Sequence, residues 1–186
     1  MFDSEENPWK IVSQKNVYDN QWINLTEYQV INPAGNPGIY GKVHFKGLAI
    51  GIIPLDAEMN IYMVGQYRFA PDCYSWEIPE GGGALDIAPL ESAKRELLEE
   101  TGLKADRWAE LLRMHLSNSV TDELCIIYLA RELQQFDPEP EDTEKLTIRK
   151  MPFAEVYHKV CSGKITDSVT VAAVLKLQLM IVEGGL

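Results

Sequence analysis

The chain has 186 residues, 46% of them hydrophobic and 24% charged, with a formal net charge of −11. Length and composition fit one ordinary domain with a packed core and a small appendage. The charge argues against non-specific binding to nucleic acid or to an anionic membrane, so a phosphorylated substrate would need local cations or a metal to approach. No apolar run reaches the roughly 18–20 residues of a membrane span. The nearest candidate, Val169 to Val182, is interrupted by Lys176 and Gln178 and reads as a core helix. The N-terminus, MFDSEENPWK, has no signal-peptide core. Cys73, Cys125 and Cys161 are odd in number and lack zinc spacing, so they read as reduced thiols of a cytoplasmic protein.

In chain order, Trp9 to Tyr18 and Trp22 to Ile31 are β-like runs joined by the turn-favouring Asp19-Asn20. The dense loop NPAGNPG follows at 32–38. Residues 1–44 are therefore read as a small antiparallel β-region, too small to stand alone, and 45–186 as the main domain. Gly47 to Leu55 looks like a central strand and Ile61 to Tyr67 returns as another, followed by a short run from Tyr74 to Ile78. A glycine loop then leads to a helix from about Pro89 to Thr101, whose buried side would be Leu90, Ala93 and Leu97. Strands are predicted at Trp108–Leu116, Leu124–Ala130 and Leu146–Met151, with an acidic, proline-bearing loop from Phe136 to Glu144. Helices at Phe153–Cys161 and Ser168–Val182 close the chain, the second capped by Asp167 or Thr166. Strands interleaved with helices predict an α/β fold, with a mixed sheet between helical layers.

The stretch GGGALDIAPLESAKRELLEETGL, residues 81 to 103, carries the chemistry. Pro89 suits a helix's first turn and Gly102 its end, where positive φ is favoured. Between them Glu96, Glu99 and Glu100 fall within about one turn. Crowded carboxylates repel, so they add nothing to a helix alone; a divalent cation removes the penalty, and hard oxygen donors suit Mg²⁺ or Mn²⁺. The alternative is an exposed acidic face neutralised by Lys94, Arg95 and Lys104.

This stretch resembles the Nudix box, whose pattern is G-x5-E-x7-R-E-U-x-E-E-x-G-U, with U a bulky aliphatic residue. Gly81, Arg95-Glu96-Leu97, Glu99-Glu100 and Gly102-Leu103 match; Ile87 stands where the pattern has its first glutamate. Upstream, Gln66-Tyr67-Arg68 and Glu77-Ile78-Pro79-Glu80-Gly81 resemble the Q-[YF]-R and E-x-P-A-G segments of ADP-ribose and nucleotide-sugar pyrophosphatases, with Glu80 replacing the alanine.

The resemblance implies an α/β/α sandwich and hydrolysis of a nucleoside diphosphate sugar, such as ADP-ribose or GDP-mannose, to a nucleoside monophosphate and a sugar phosphate. It implies Glu96, Glu99 and Glu100 as catalytic metal ligands, joined by the Gly81 carbonyl, with Mg²⁺ or Mn²⁺ as cofactor. Arg95 would orient Glu99 or a neighbouring acid, and Asp86 would in part replace the glutamate missing at Ile87. Arg68 and Glu77 would serve substrate binding, Arg68 through a planar fork that suits phosphate; the other reading of Arg68 is an ion pair with Glu77 or Asp72. A general base or extra ligand is expected at Glu144, with Glu141 second. Trp22 and Tyr28 are candidates for stacking on the base, alongside Trp9, against a plain packing surface as the alternative. The N-terminal β-region would cross to a partner in a homodimer. A non-catalytic ADP-ribose-binding regulator, or a hydrolase of other nucleoside diphosphate derivatives, is the competing function.

Overall fold

The computed structural model describes residues 6–136 and 146–186, which form two compact units: 6–46 with 117–123, and 47–116 with 124–136 and 146–186. The first unit is an antiparallel sheet of β1 (Lys10–Asp19), β2 (Ile23–Ile31) and β3 (Pro37–Phe45), in that order. Its first hairpin closes on Asn20, whose side-chain oxygen accepts the Trp22 and Ile23 amides at 2.8 Å each. Asn32 closes the second, accepting from Ala34 and Asn36 at 3.0 Å, with Gly35 at φ 85°. The strand β3 is not legible as a strand in the sequence, because Pro37 and Gly38 open it. Its position at the sheet edge explains why a proline is tolerated there. Residues 117–123 also belong to this unit: the Val43 amide donates to Val120 O, and Asp122 binds Lys42, His44 and the Phe45 amide.

The second unit contains β4 (Leu48–Pro54), β5 (Asn60–Arg68), β6 (Cys73–Glu77), β7 (Glu80–Gly83), α1 (Pro89–Thr101), β8 (Leu103–His115), β9 (Leu124–Gln135), β10 (Thr147–Pro152), α2 (Phe153–Cys161) and α3 (Ser168–Val182). Its strands form a mixed sheet, β7-β4-β9-β8, with β4 and β9 parallel, and an antiparallel sheet, β10-β5-β6. Period-2 alternation explains the layering. Along β9, Ile126, Tyr128 and Ala130 join Ile50 and Ile52 of β4 in a cluster with Ala93 and Leu97 of α1. The intervening Cys125, Ile127 and Leu129 face a second cluster with Phe153 and Val156 of α2 and Val169, Ala173 and Leu177 of α3. Helices thus cover both faces, which is why these strands read as continuous apolar runs. Burying Leu97 completely is worth roughly 1.5–3 kcal/mol.

Helix boundaries agree with the sequence. Gly102 ends α1 at φ 70°, its N–H donating to Leu98 O at 2.8 Å, and Asp167 caps α3 by accepting the Thr170 amide at 2.7 Å. Strands differ more. The glycine run is not a loop: 80–83 pair antiparallel with 48–51. Strand β8 starts immediately after Gly102 and β9 runs to Gln135, because the two pair over their whole lengths around one irregularity.

Asp56 holds the β4–β5 turn, accepting from the Glu58 and Asn60 amides and from Lys150 Nζ at 2.6 Å. Burial pushes its carboxyl up, but the bonds from Lys150 and Asn60 outweigh this and hold it at about 2. The folded value lies below the unfolded one, so this stability is present above pH ~4 and lost as pH falls toward about 2. Asp56→Ala is expected to cost about 2 kcal/mol at pH 7. Urea unfolding at pH 7 and pH 3 checks it: the gap between parent and variant should narrow in acid, and a gap independent of pH would refute the assignment.

Candidate metal and substrate site

The helix α1 lays its acidic turn along the backbone of β7. Gly81 has ordinary strand geometry, so its glycine is a matter of space: a Cβ there would fall inside the Glu96 carboxylate. Next to it the Glu80 amide donates to Glu100 Oε2 at 3.1 Å. Glu96 and Glu100 are buried, at 8% and 3% exposure, while the Glu99 side chain keeps 28%. Arg95 clasps this group, donating to Glu99 at 2.6 Å, to Glu96 at 2.6 Å and to the Gly82 carbonyl at 2.9 Å. Among the described residues Arg95 makes no ion pair with Asp86, and Ile87 is 47% exposed. The Gly82 carbonyl, not Asp86, therefore completes the arginine's set of acceptors.

Three carboxylates on one turn, two of them buried, crowd negative charge beside the Arg95 guanidinium. Desolvating such ions costs several kcal/mol each unless cations compensate. The donors are all hard oxygens and the Gly81 backbone lies against one of them, a set that fits a divalent cation of the magnesium type.

A second charged cluster adjoins the first in sequence. Arg68, at the end of β5, donates from Nε and Nη2 to both oxygens of Glu77 and from Nη2 to Glu80 at 2.6 Å. Carboxylate oxygens of Glu77, Glu80 and Asp167 lie within 4.8 Å of one another. Burial first, then the charges of Asp167 and Glu77, hold the Glu80 carboxyl well above the usual carboxylate range, although Arg68 opposes the shift. Glu80 Oε2 is buried without a hydrogen-bond partner. Thr170 accepts the Ile78 amide at 2.9 Å, so α3 pins the 77–80 segment. Sequence reasoning missed this cluster: Asp167 reads as a helix cap and Glu80 as a substituted alanine, and only the fold brings them to Arg68. The pairing of Arg68 with Glu77 is the ion-pair reading, and Asp72 is not its partner; Asp72 instead accepts from the Tyr67 hydroxyl at 2.7 Å.

Within the first unit, Tyr28 lines a pocket of about 310 Å³ with Trp9, Tyr40 and Lys42, the Trp9 and Tyr40 rings meeting edge-on at 5.4 Å. Trp22 does not line it and is 66% exposed. Glu141 and Glu144 lie outside the described residues. Cys73 and Cys161 are exposed and Cys125 buried, all without disulfides. No described helix is long and apolar enough to cross a membrane.

Residues 45–169 match the model of the NUDIX domain, and residues 9–43 that of the nucleoside diphosphate sugar hydrolase N-terminal domain. The chain is 33% identical to an ADP-ribose pyrophosphatase of Mycobacterium tuberculosis, over 91% of this chain and 83% of that one. It is 30% identical to a CMP-5'-(N-acetyl-N-hydroxy-3-aminopropyl)phosphonate hydrolase of Streptomyces rubellomurinus, over 90% of this chain and 81% of that one. A crystal structure of an ADP compounds hydrolase superposes with a TM-score of 0.85 at 17% identity, covering 99% of this chain and 100% of that one, which shows the shared fold. With a box helix laid on a glycine strand, and the domain model matching two-thirds of its length, the chain belongs to the Nudix hydrolase family.

Proposed function

We propose that this protein is a divalent-metal-dependent pyrophosphohydrolase of nucleoside diphosphate sugars, with ADP-ribose as the first substrate to test. The observation that carries the reading is the packing of Glu96 and Glu100 on the Gly81 and Glu80 backbone, with Glu99 beside them and one arginine between. Similarity to an ADP-ribose pyrophosphatase supports the choice of substrate. In this reading Glu96, Glu99, Glu100 and the Gly81 carbonyl hold Mg²⁺, or Mn²⁺, which supplies charge neutralisation of the pyrophosphate and a water of lowered pKa. Arg95 fixes the directions of Glu96 and Glu99. Arg68, itself oriented by Glu77 and Glu80, meets the diphosphate or terminal ribose. Glu144, or Glu141, takes the proton of the attacking water. Water adds to one phosphorus, the bridging P–O bond breaks, and ADP-ribose gives AMP and ribose 5-phosphate.

Tyr28 and Trp22 are, in this reading, the candidates for stacking on a base. We further read residues 1–44 as contributing base and dimer contacts in a homodimer. The exposed apolar side chains of Ile11, Val12, Val17 and Ile39 on that sheet support a partner surface. A hydrodynamic mass near one 21.0 kDa chain would remove the dimer. Neither nucleic acid nor membrane is a partner in this reading, given the charge of −11, and the exposed Cys73 and Cys161, without a disulfide, suit the cytoplasm.

Purified protein with ADP-ribose, ADP-glucose, GDP-mannose and NADH, with Mg²⁺ and with EDTA, tests the proposal. The expected result is AMP and ribose 5-phosphate from ADP-ribose with Mg²⁺ only. Ile87 in place of the box's first glutamate favours a second reading, a non-catalytic ADP-ribose-binding regulator. Tight binding with no turnover of any diphosphate would select that one and reject the enzyme.

A further inference from the structure

A second concave site in the main unit is lined by none of residues 81–103 and by no member of the Arg68 cluster. It is a pocket of about 580 Å³ formed by the β4–β5 turn, Tyr62, Arg107 of β8, the end of β9 and Lys150. Arg107 and Arg131 stand directly opposite each other in the β8–β9 register. Like charges so placed destabilise a sheet. Among the described residues neither guanidinium has an ion pair or hydrogen bond; Arg131 is half-buried and Arg107 exposed. On a chain of net charge −11, with acids in abundance, two unneutralised facing arginines are a conspicuous arrangement.

The backbone points the same way. Of the three non-glycine residues with left-handed backbone among the described residues, two, Met59 (φ 62°) and Glu132 (φ 59°), line this pocket. Such conformations cost free energy and concentrate at ligand sites. Three acids also line it. Asp56 is committed to Lys150 at 2.6 Å, while Glu58 and Glu132 are exposed. Leu186 lines it as well, and the three acidic side chains already match Arg107, Arg131 and Lys150 in formal charge, so a bare multivalent anion would gain nothing from the field as a whole. What remains available is the pair of planar forks, suited to bidentate binding of phosphate oxygens, and the half-buried ring of Tyr62, over which Lys150 sits at 5.8 Å.

We propose that this pocket is a ligand site for a phosphate monoester bearing a planar group, the chemistry of a nucleoside monophosphate. Arg107 and Arg131 take the phosphate and Tyr62 the planar group. The site stands whether or not the hydrolase reading holds. If both hold, it takes the class of product that the reaction releases, and occupancy reports product level to the enzyme.

The test is a titration of the ¹⁵N-labelled full chain, in EDTA to disable the metal site, with AMP and separately with adenosine. AMP is expected to shift the amides of 55–62 and 131–133 with half-saturation near or below about 1 mM, and adenosine to leave them in place. Arg107→Gln with Arg131→Gln should weaken that response at least about tenfold, with Tm unchanged or raised because a like-charge opposition is removed. Glu99→Gln should leave it intact. No AMP response in these amides, an equal response to adenosine, or a response that survives in the double variant would overturn the site.

Discussion

Glu100→Gln is expected to lower kcat on ADP-ribose by about 10³-fold, the equivalent of roughly 4 kcal/mol of transition-state stabilisation, while leaving the fold in place. Glutamine matches glutamate in shape and retains an oxygen that can accept the Glu80 amide, now bonded at 3.1 Å. What disappears is one negative charge from the proposed set of metal ligands. Because that acceptor is kept and Glu100 is only 3% exposed, Tm should change little. Steady-state kinetics over a Mg²⁺ series, with thermal melts alongside, checks both halves. Activity within tenfold of the parent at saturating Mg²⁺ would reject Glu100 as a ligand. Glu99→Gln should behave alike in kcat, but it also takes a 2.6 Å charged bond from Arg95, so its apparent affinity for Mg²⁺ should fall further.

The second large effect comes from one carbon atom. Gly81→Ala would put a Cβ where the Glu96 carboxylate sits. The neighbouring backbone cannot give way easily, since 80–83 are paired with 48–51 in the mixed sheet. Glu96 would have to leave and would break its 2.6 Å bond with Arg95. Overpacking of this kind typically costs about 1–3 kcal/mol, and kcat should fall at least about 10²-fold with the displaced ligand. Adding Glu96→Ala to Gly81→Ala should recover much of the stability by clearing the clash, and none of the turnover. Recovery of both would mean that Glu96 is needed only for packing.

Much of this site is legible in the sequence because helices are local. Pro89, Gly102 and the spacing of Ala93 and Leu97 define α1, and the same 3.6-residue period puts Glu96, Glu99 and Glu100 on one turn before any tertiary contact is known. The strand content of 80–83 is hidden for the converse reason. Glycines have poor strand propensity, and only pairing with β4 makes them a strand. Ile87 shows the same division. The sequence marks the missing box glutamate, but that Arg95 turns to the Gly82 carbonyl depends on where β7 lies.

The sequence by itself determined the family pattern, the helix boundaries, the two-faced apolar strands and the acidic turn, all set by short-range periodicity and by residue chemistry. Tertiary structure alone decided that a side chain at Gly81 would meet the Glu96 carboxylate, that Glu80 and Asp167 join Glu77 around Arg68, and that Arg107 faces Arg131. Each of these depends on strand register or helix docking between segments far apart in the chain. No local rule specifies such distances, because they follow from how the buried faces of the whole sheet fit together.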